Sequence, residues 1–165
     1  MTDGPFLLAP DLAGGPPPEP LDADQIRARL SLRSAKPNVS TLLGFELVDF
    51  SIEERWLEAR FHPTPQLANL RGSVQGGIIT AMLDEVMSLS VLVAERFTCG
   101  VPTLEIKTSY YNPLPVEPCV ARGQAMRIGG RIAFMEGTVW TPGGEIATKA
   151  SATCQVRRVK PAPKP

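Results

Sequence analysis

The chain has 165 residues, with 17 basic and 17 acidic side chains and 43% hydrophobic residues, so it has material for one sizeable core and is not the composition of a disordered chain. The neutral balance argues against nucleic acid as a partner, because proteins that grip its phosphates carry a basic excess. Cys99, Cys119 and Cys154 are widely spaced and form no CxxC pair, which fits reduced thiols in a cytoplasmic protein and not a disulfide frame or a zinc site.

Residues 1–22 are rich in Pro and Gly and read as a flexible or polyproline-like arm. The opening MTDGPFLLAP lacks the positive charge of a secretory signal. The folded domain is expected over 23–159, with residues 160–165 as a tail. Asp22 and Asp24 suit the start of a short helix whose apolar face carries Ile26, Leu30 and Leu32, and which must stop before Pro37. The segment TLLGFELVDFS is expected as a strand, followed after Ile-Glu-Glu by RWLEARFHP. In the latter, Trp56, Leu57, Ala59 and Phe61 are interleaved with Glu58 and Arg60.

A loop over 63–74 leads into a helix from about Gln75 to Arg96 that is apolar nearly all round, the mark of burial on most sides. Between Gly77 and Ala94 its ionisable groups are the adjacent Asp84 and Glu85. Two acids at its centre, each costing roughly 2.5–3.5 kcal/mol in a bilayer, argue against a membrane span and for a core helix. Four strands follow. The first is PTLEIKTSYYNP, where Leu104, Ile106, Thr108 and Tyr110 alternate with Glu105, Lys107 and Ser109. VARGQAMRIGG and RIAFMEGTVWTP meet at Gly129-Gly130, a tight-turn pair. EIATKASATCQVRR comes last, after the turn at Pro142–Gly144. Short turns imply a largely antiparallel sheet, and one buried helix implies that the sheet curls around it: an α+β fold.

The run NLRGSVQGGIITAMLD, Asn69 to Asp84, joins a glycine-bearing turn to that helix. Gly76 and Gly77 offer backbone N–H groups at the positive end of the helix to an oxygen gathering negative charge. An acid in an apolar helix is costly unless it is satisfied or used. Together they suggest a site where a carbonyl is polarised and a carboxylate attacks it or activates water.

These residues resemble the hotdog-fold thioesterases, in particular the branch of phenylacetate-pathway acyl-CoA thioesterases. That branch carries N-x-x-G-x-x-H-G-G followed by an apolar helix with an acid on its second turn. Asn69, Gly72, Gly76, Gly77 and Asp84 fall at matching spacings, and the strand order over about 40–158 agrees. One departure stands at the family histidine, which is Gln75 here; glutamine exchanges hydrogen bonds but does not titrate. The resemblance implies a hotdog fold, hydrolysis of acyl-CoA, and a site built between subunits of a homodimer or homotetramer. It requires no metal or redox cofactor, coenzyme A being part of the substrate.

On that reading Asp84 is nucleophile or general base, Gly76 polarises the thioester carbonyl, and Asn69 and Gln75 position water and substrate. Thr103 takes the place of a family Ser or Thr that assists from across the dimer interface. Gly77, Ser88, Arg71 and Arg131 are substrate-binding candidates, with Lys107 a further cation for the CoA phosphates. Each residue also has a purely structural role open to it. Asp84 can cap or pair across an interface, and the glycines can serve close packing. Asn69 can anchor its turn, and Ser88 can bond back to the helix. Glu85 is expected to be salt-bridged or solvent-facing, and His62 to be a strand-end residue. Met82, Met87, Met126 and Met135 fit either core or an adaptable acyl pocket. The alternatives to hydrolysis are a non-catalytic acyl-CoA binder marked by Gln75, and an acyl-thioester dehydratase or hydratase, which needs a histidine this motif lacks.

Overall fold

The computed structural model describes residues 19–32 and 38–158. The expected arm therefore lies mostly outside the described residues, and the tail entirely so. Helix α1 (Ala23–Ser31) starts at Asp22, whose side chain accepts from the Gln25 N–H while the Gln25 side chain accepts from the Asp22 N–H. This reciprocal box satisfies two end amides at once. Ile26 and Leu30 are buried, but Leu32 lies beyond the helix and is exposed, against expectation.

The first expected strand begins later than the sequence pattern suggested. Val39–Leu43 form a second helix, α2. The Asn38 side chain accepts from the Thr41 N–H at its start, and Gly44 ends it at φ +67°. A Cβ on Gly44 would stand 2.6 Å from the His62 carbonyl oxygen, so the position requires glycine twice over. Strands β1 (Glu46–Ser51) and β2 (Trp56–Phe61) then form the expected hairpin.

The long helix, α3, runs Gly76–Ala94, slightly shorter than expected. The two-residue β3 (Cys99–Gly100) follows it, and then come β4 (Thr103–Tyr110), β5 (Cys119–Ile128), β6 (Ile132–Trp140) and β7 (Ile146–Gln155). A final two-residue β8 (Arg157–Arg158) pairs with β3. The main sheet has the order β1-β2-β5-β6-β7-β4, antiparallel throughout. Its sequence-distant member, β4, occupies one edge.

The sheet wraps α3 because its inward positions are small. Cys119, Ala121, Gly123 and Ala125 on β5, and Ala147, Ala150, Ala152 and Cys154 on β7, leave room for Met82, Leu83, Val86, Met87 and Leu89 of the helix. The approach is closest at Gly123, where a Cβ would stand 2.2 Å from the Val86 carbonyl oxygen. Leu57, Ala59 and Phe61 complete the wall from β2, as their alternation predicts. α3 is long and apolar enough to cross a membrane, yet it forms the core of this fold. Met82, Met87 and Met135 are core, whereas Met126 is exposed. The β4 alternation is weaker than expected: Leu104 and Tyr110 lie more than half exposed on the edge strand.

Candidate active site

The loop before α3 is held by Asn69. Its side-chain oxygen accepts from the Arg71 N–H at 2.8 Å, and its amide donates to Ser73 Oγ at 3.0 Å. The Asn69 N–H donates to the Ser73 carbonyl at 2.7 Å, and its own carbonyl accepts from Gly72, which sits at φ +83°. The side chain is thus committed to the turn, the anchoring role that Asn commonly fills. Gln75 is the N-cap of α3, but its side chain makes no capping bond and is exposed. The Gln75 N–H is bonded to the Leu67 carbonyl and the Ile78 N–H to the Gln75 carbonyl. Among the described residues this leaves Gly76 and Gly77 as the first-turn amides with no backbone or capping partner. Nothing lies within 4 Å of the place a Cβ would take on Gly77, so a ligand can come close there.

Asn69, Arg71 and Gln75 line a cleft of about 700 Å³ with Leu67, Leu70 and Ile78. A second cleft of about 490 Å³ shares Asn69 and Arg71 and adds Gly76, Tyr110 and Tyr111. The motif residues Asn69, Arg71, Gln75 and Gly76 thus line one or other of two adjoining clefts, and Arg71 lines both. Arg131 does not join them; it is exposed in the β5–β6 turn and lines neither cleft. Lys107 lies on the outer sheet face with Glu105, Met126 and Phe134.

Asp84 sits half-buried two turns further along α3, on the stripe of the helix that the sheet leaves open, with Thr80 and Ser88 above and below it. Thr103 Oγ1 donates to Asp84 Oδ1 at 2.7 Å. This bond lies within one chain. Among the described residues the hydroxyl on this carboxylate is that of Thr103, not Ser88. Cys154, opposite Thr103 in the ladder, also feels the acid. Burial pushes its thiol up, a backbone hydrogen bond involving Ala133 opposes this, and the Asp84 charge adds to the rise.

Glu85 is buried and accepts a hydrogen bond from Ser40 Oγ of α2, so of the two placements expected for it the solvent-facing one does not hold, and it lies off the Asp84 stripe. The physical reason is the helical turn of about 100° per residue, which points the adjacent acid toward α2. His62 is an exposed strand-end residue, as expected, with Nε2 2.8 Å from Glu46.

Sequence reasoning gave Tyr110 no role in the site. Its hydroxyl donates to the Gly76 carbonyl at 2.8 Å and lies 2.7 Å from Thr80 Oγ1. No spacing rule links residues 76, 80 and 110; only the placement of β4 beside the start of α3 does.

A curved antiparallel sheet around one long helix, with free glycine amides at its start and an acid on its open face, defines a hotdog protein of the thioesterase type. Residues 71–148, just under half of the chain, match the family model of the thioesterase superfamily. A phenylacetic acid degradation-related protein from Ralstonia eutropha JMP134 superposes with a TM-score of 0.69 at 28% identity, over 76% of this chain and 96% of its own. A Streptococcus mutans UA159 protein solved with acetyl-CoA bound superposes with a TM-score of 0.61 at 18% identity, over 70% of this chain and 90% of that one. A curated but uncharacterised protein of Schizosaccharomyces pombe is 40% identical over 53 residues, 32% of this chain and 30% of that protein, so the match spans under a third of its length.

Proposed function

We propose that the chain is an acyl-CoA thioesterase, releasing a carboxylic acid and CoA, and that two copies build each site. The observation carrying this reading is the Asp84 carboxylate, held by Thr103 on the one face of α3 that the sheet leaves open. Asp84 and Gly76 are eight residues apart, a rise of roughly 12 Å along the helix. A single thioester carbonyl does not reach both groups of one chain.

A twofold pair resolves the distance. β4 is an edge strand running from Thr103, beside Asp84, to Tyr110, beside Gly76. Its outer backbone groups are available to another strand. Antiparallel pairing of two β4 strands about a twofold axis sets the Thr103 end of one copy against the Tyr110 end of the other. Asp84 of one copy then meets the glycine amides of the second. A homodimer is the minimal active unit on this account, and a homotetramer is two such pairs.

The chemistry follows from those groups. The thioester oxygen lies against the amides of Gly76 and Gly77, which stabilise the charge that builds there. Asp84 takes a proton from water that attacks the carbonyl carbon, or attacks it directly to give an anhydride that water then opens. The C–S bond breaks, CoA leaves as thiolate and is reprotonated. Asn69 holds the loop, Gln75 faces the substrate, and Arg71 meets the anionic part of CoA at the cleft mouth. No metal or redox group enters these steps. The acetyl-CoA held by the Streptococcus mutans protein supports a CoA thioester as the ligand class. Three buried free cysteines support a reducing, cytoplasmic setting.

Gln75 in place of a histidine favours one rival, a binder that holds acyl-CoA without cleaving it. Thiol release measured across short, aromatic and long acyl-CoAs separates the two. Catalytic release of CoA supports the hydrolase; saturable binding with no release over many site equivalents would replace it with the binder.

A further inference from the structure

We propose that Tyr110 is a positioning residue for the carbonyl-polarising amides, a role that rests on the hydrolase reading above. In the single chain Tyr110 is 53% exposed, yet its hydroxyl is not left to solvent. It turns instead onto the helix start. It donates to the Gly76 carbonyl at 2.8 Å, and Thr80 Oγ1 lies 2.7 Å from it, within 3.3 Å of Thr108 Oγ1. The side chains of Thr108, Thr80 and Tyr110 form a chain of hydroxyls that ends on one peptide oxygen.

That oxygen belongs to the same planar peptide as the Gly77 N–H. Fixing it fixes the direction of the N–H on the other side. The ring adds a second constraint, because a Cβ on Gly76 would stand 3.2 Å from Tyr110 Cζ and 3.2 Å from its hydroxyl oxygen. Tyr110 thus occupies the side of Gly76 where a side chain would be, and holds the peptide that carries the Gly77 N–H. Two adjacent glycines at a helix start are otherwise the most pliable part of a helix. Donors that polarise a carbonyl work only if their direction is set before the charge develops. Thr80 is one turn before Asp84, so the same hydroxyl chain ties the amide end of α3 to the turn that carries the acid.

The test is Tyr110→Phe in the full-length protein, which keeps the ring and removes the hydroxyl. With the acyl-CoA that the wild type cleaves fastest, kcat falls about tenfold or more while KM and the unfolding midpoint stay near wild type. Thr80→Val, which removes the hydroxyl beside Tyr110, gives a smaller loss of the same kind. The backbone amide resonance of Gly77 shifts in both variants, while those of β5 and β6 do not. Gly76→Ala is damaging in the wild type and far better tolerated beside Tyr110→Ala. A Tyr110→Phe protein with wild-type kcat, or one that loses midpoint and KM together at unchanged kcat, would overturn the positioning role alone. A wild-type protein that releases no CoA from any substrate would overturn the hydrolase reading and this role with it.

Discussion

Gly123→Ala tests the packing that places the site. The added Cβ would lie 2.2 Å from the Val86 carbonyl oxygen, 2.3 Å from its carbon and 2.6 Å from the Met87 nitrogen. All three are backbone atoms of the central helix and have no rotamer to change. Either β5 or α3 must retreat by roughly 1 Å, and both are locked into neighbours. The expected cost is about 3 kcal/mol, the upper end for atoms forced into a packed core. For a chain of this size that lowers the unfolding midpoint by about 10 °C. Gly137→Ala is the internal control. Its Cβ would meet the Leu83 and Met87 side chains at 2.9 Å, and flexible side-chain ends can give way, so the cost is about 1 kcal/mol. Thermal and urea unfolding of the two variants beside the wild type give the comparison. The folded fraction of the Gly123 variant should also lose CoA release, because a helix displaced by about 1 Å carries Asp84 out of line. Equal stability of the two variants would refute the claim that β5 touches the helix backbone at this point.

Thr103→Val keeps the shape of the side chain and removes the donor to Asp84 Oδ1; kcat should fall about tenfold with the unfolding midpoint nearly unchanged, and an unchanged kcat would remove Thr103 from the site. Burial pushes the Cys99 thiol up to about 12 and the Cys119 thiol up to about 11. Both are neutral when folded, and the unfolded chain gives up these protons near pH 9, so their contribution is whole below about pH 9 and is lost as pH rises toward 12. Urea midpoints at pH 8 and pH 10.5 should therefore fall with pH, and Cys99→Ala should flatten the fall.

The sequence carried the local signals well and the long-range ones poorly. The acids in an otherwise apolar run disclosed α3 because few other arrangements bury so much helix surface. Asp22 and Asp24 gave the start of α1, and Gly129-Gly130 gave the β5–β6 turn. The helix Val39–Leu43 was hidden because its five residues read equally well as strand; only Asn38 and Gly44 at its ends betray it. That β4 lies at the sheet edge was not legible, since sheet order is set by how the strands pack around α3 and not by any one strand. The same gap concealed Tyr110, which meets Gly76 across 34 residues. It also hid the fact that Thr103 reaches the acid of its own chain. Glu85 and Asp84 look alike in sequence, and only the position of α2 makes one a buried partner of Ser40 and leaves the other on the open face.

The most direct trial of this account is CoA release by Asp84→Asn, which keeps the size of the side chain and its hydrogen bonding but removes the base and nucleophile. The variant should bind acyl-CoA as the wild type does and release CoA about 100-fold more slowly or worse. Release at the wild-type rate would contradict the account, whatever the fold and the neighbouring amides suggest.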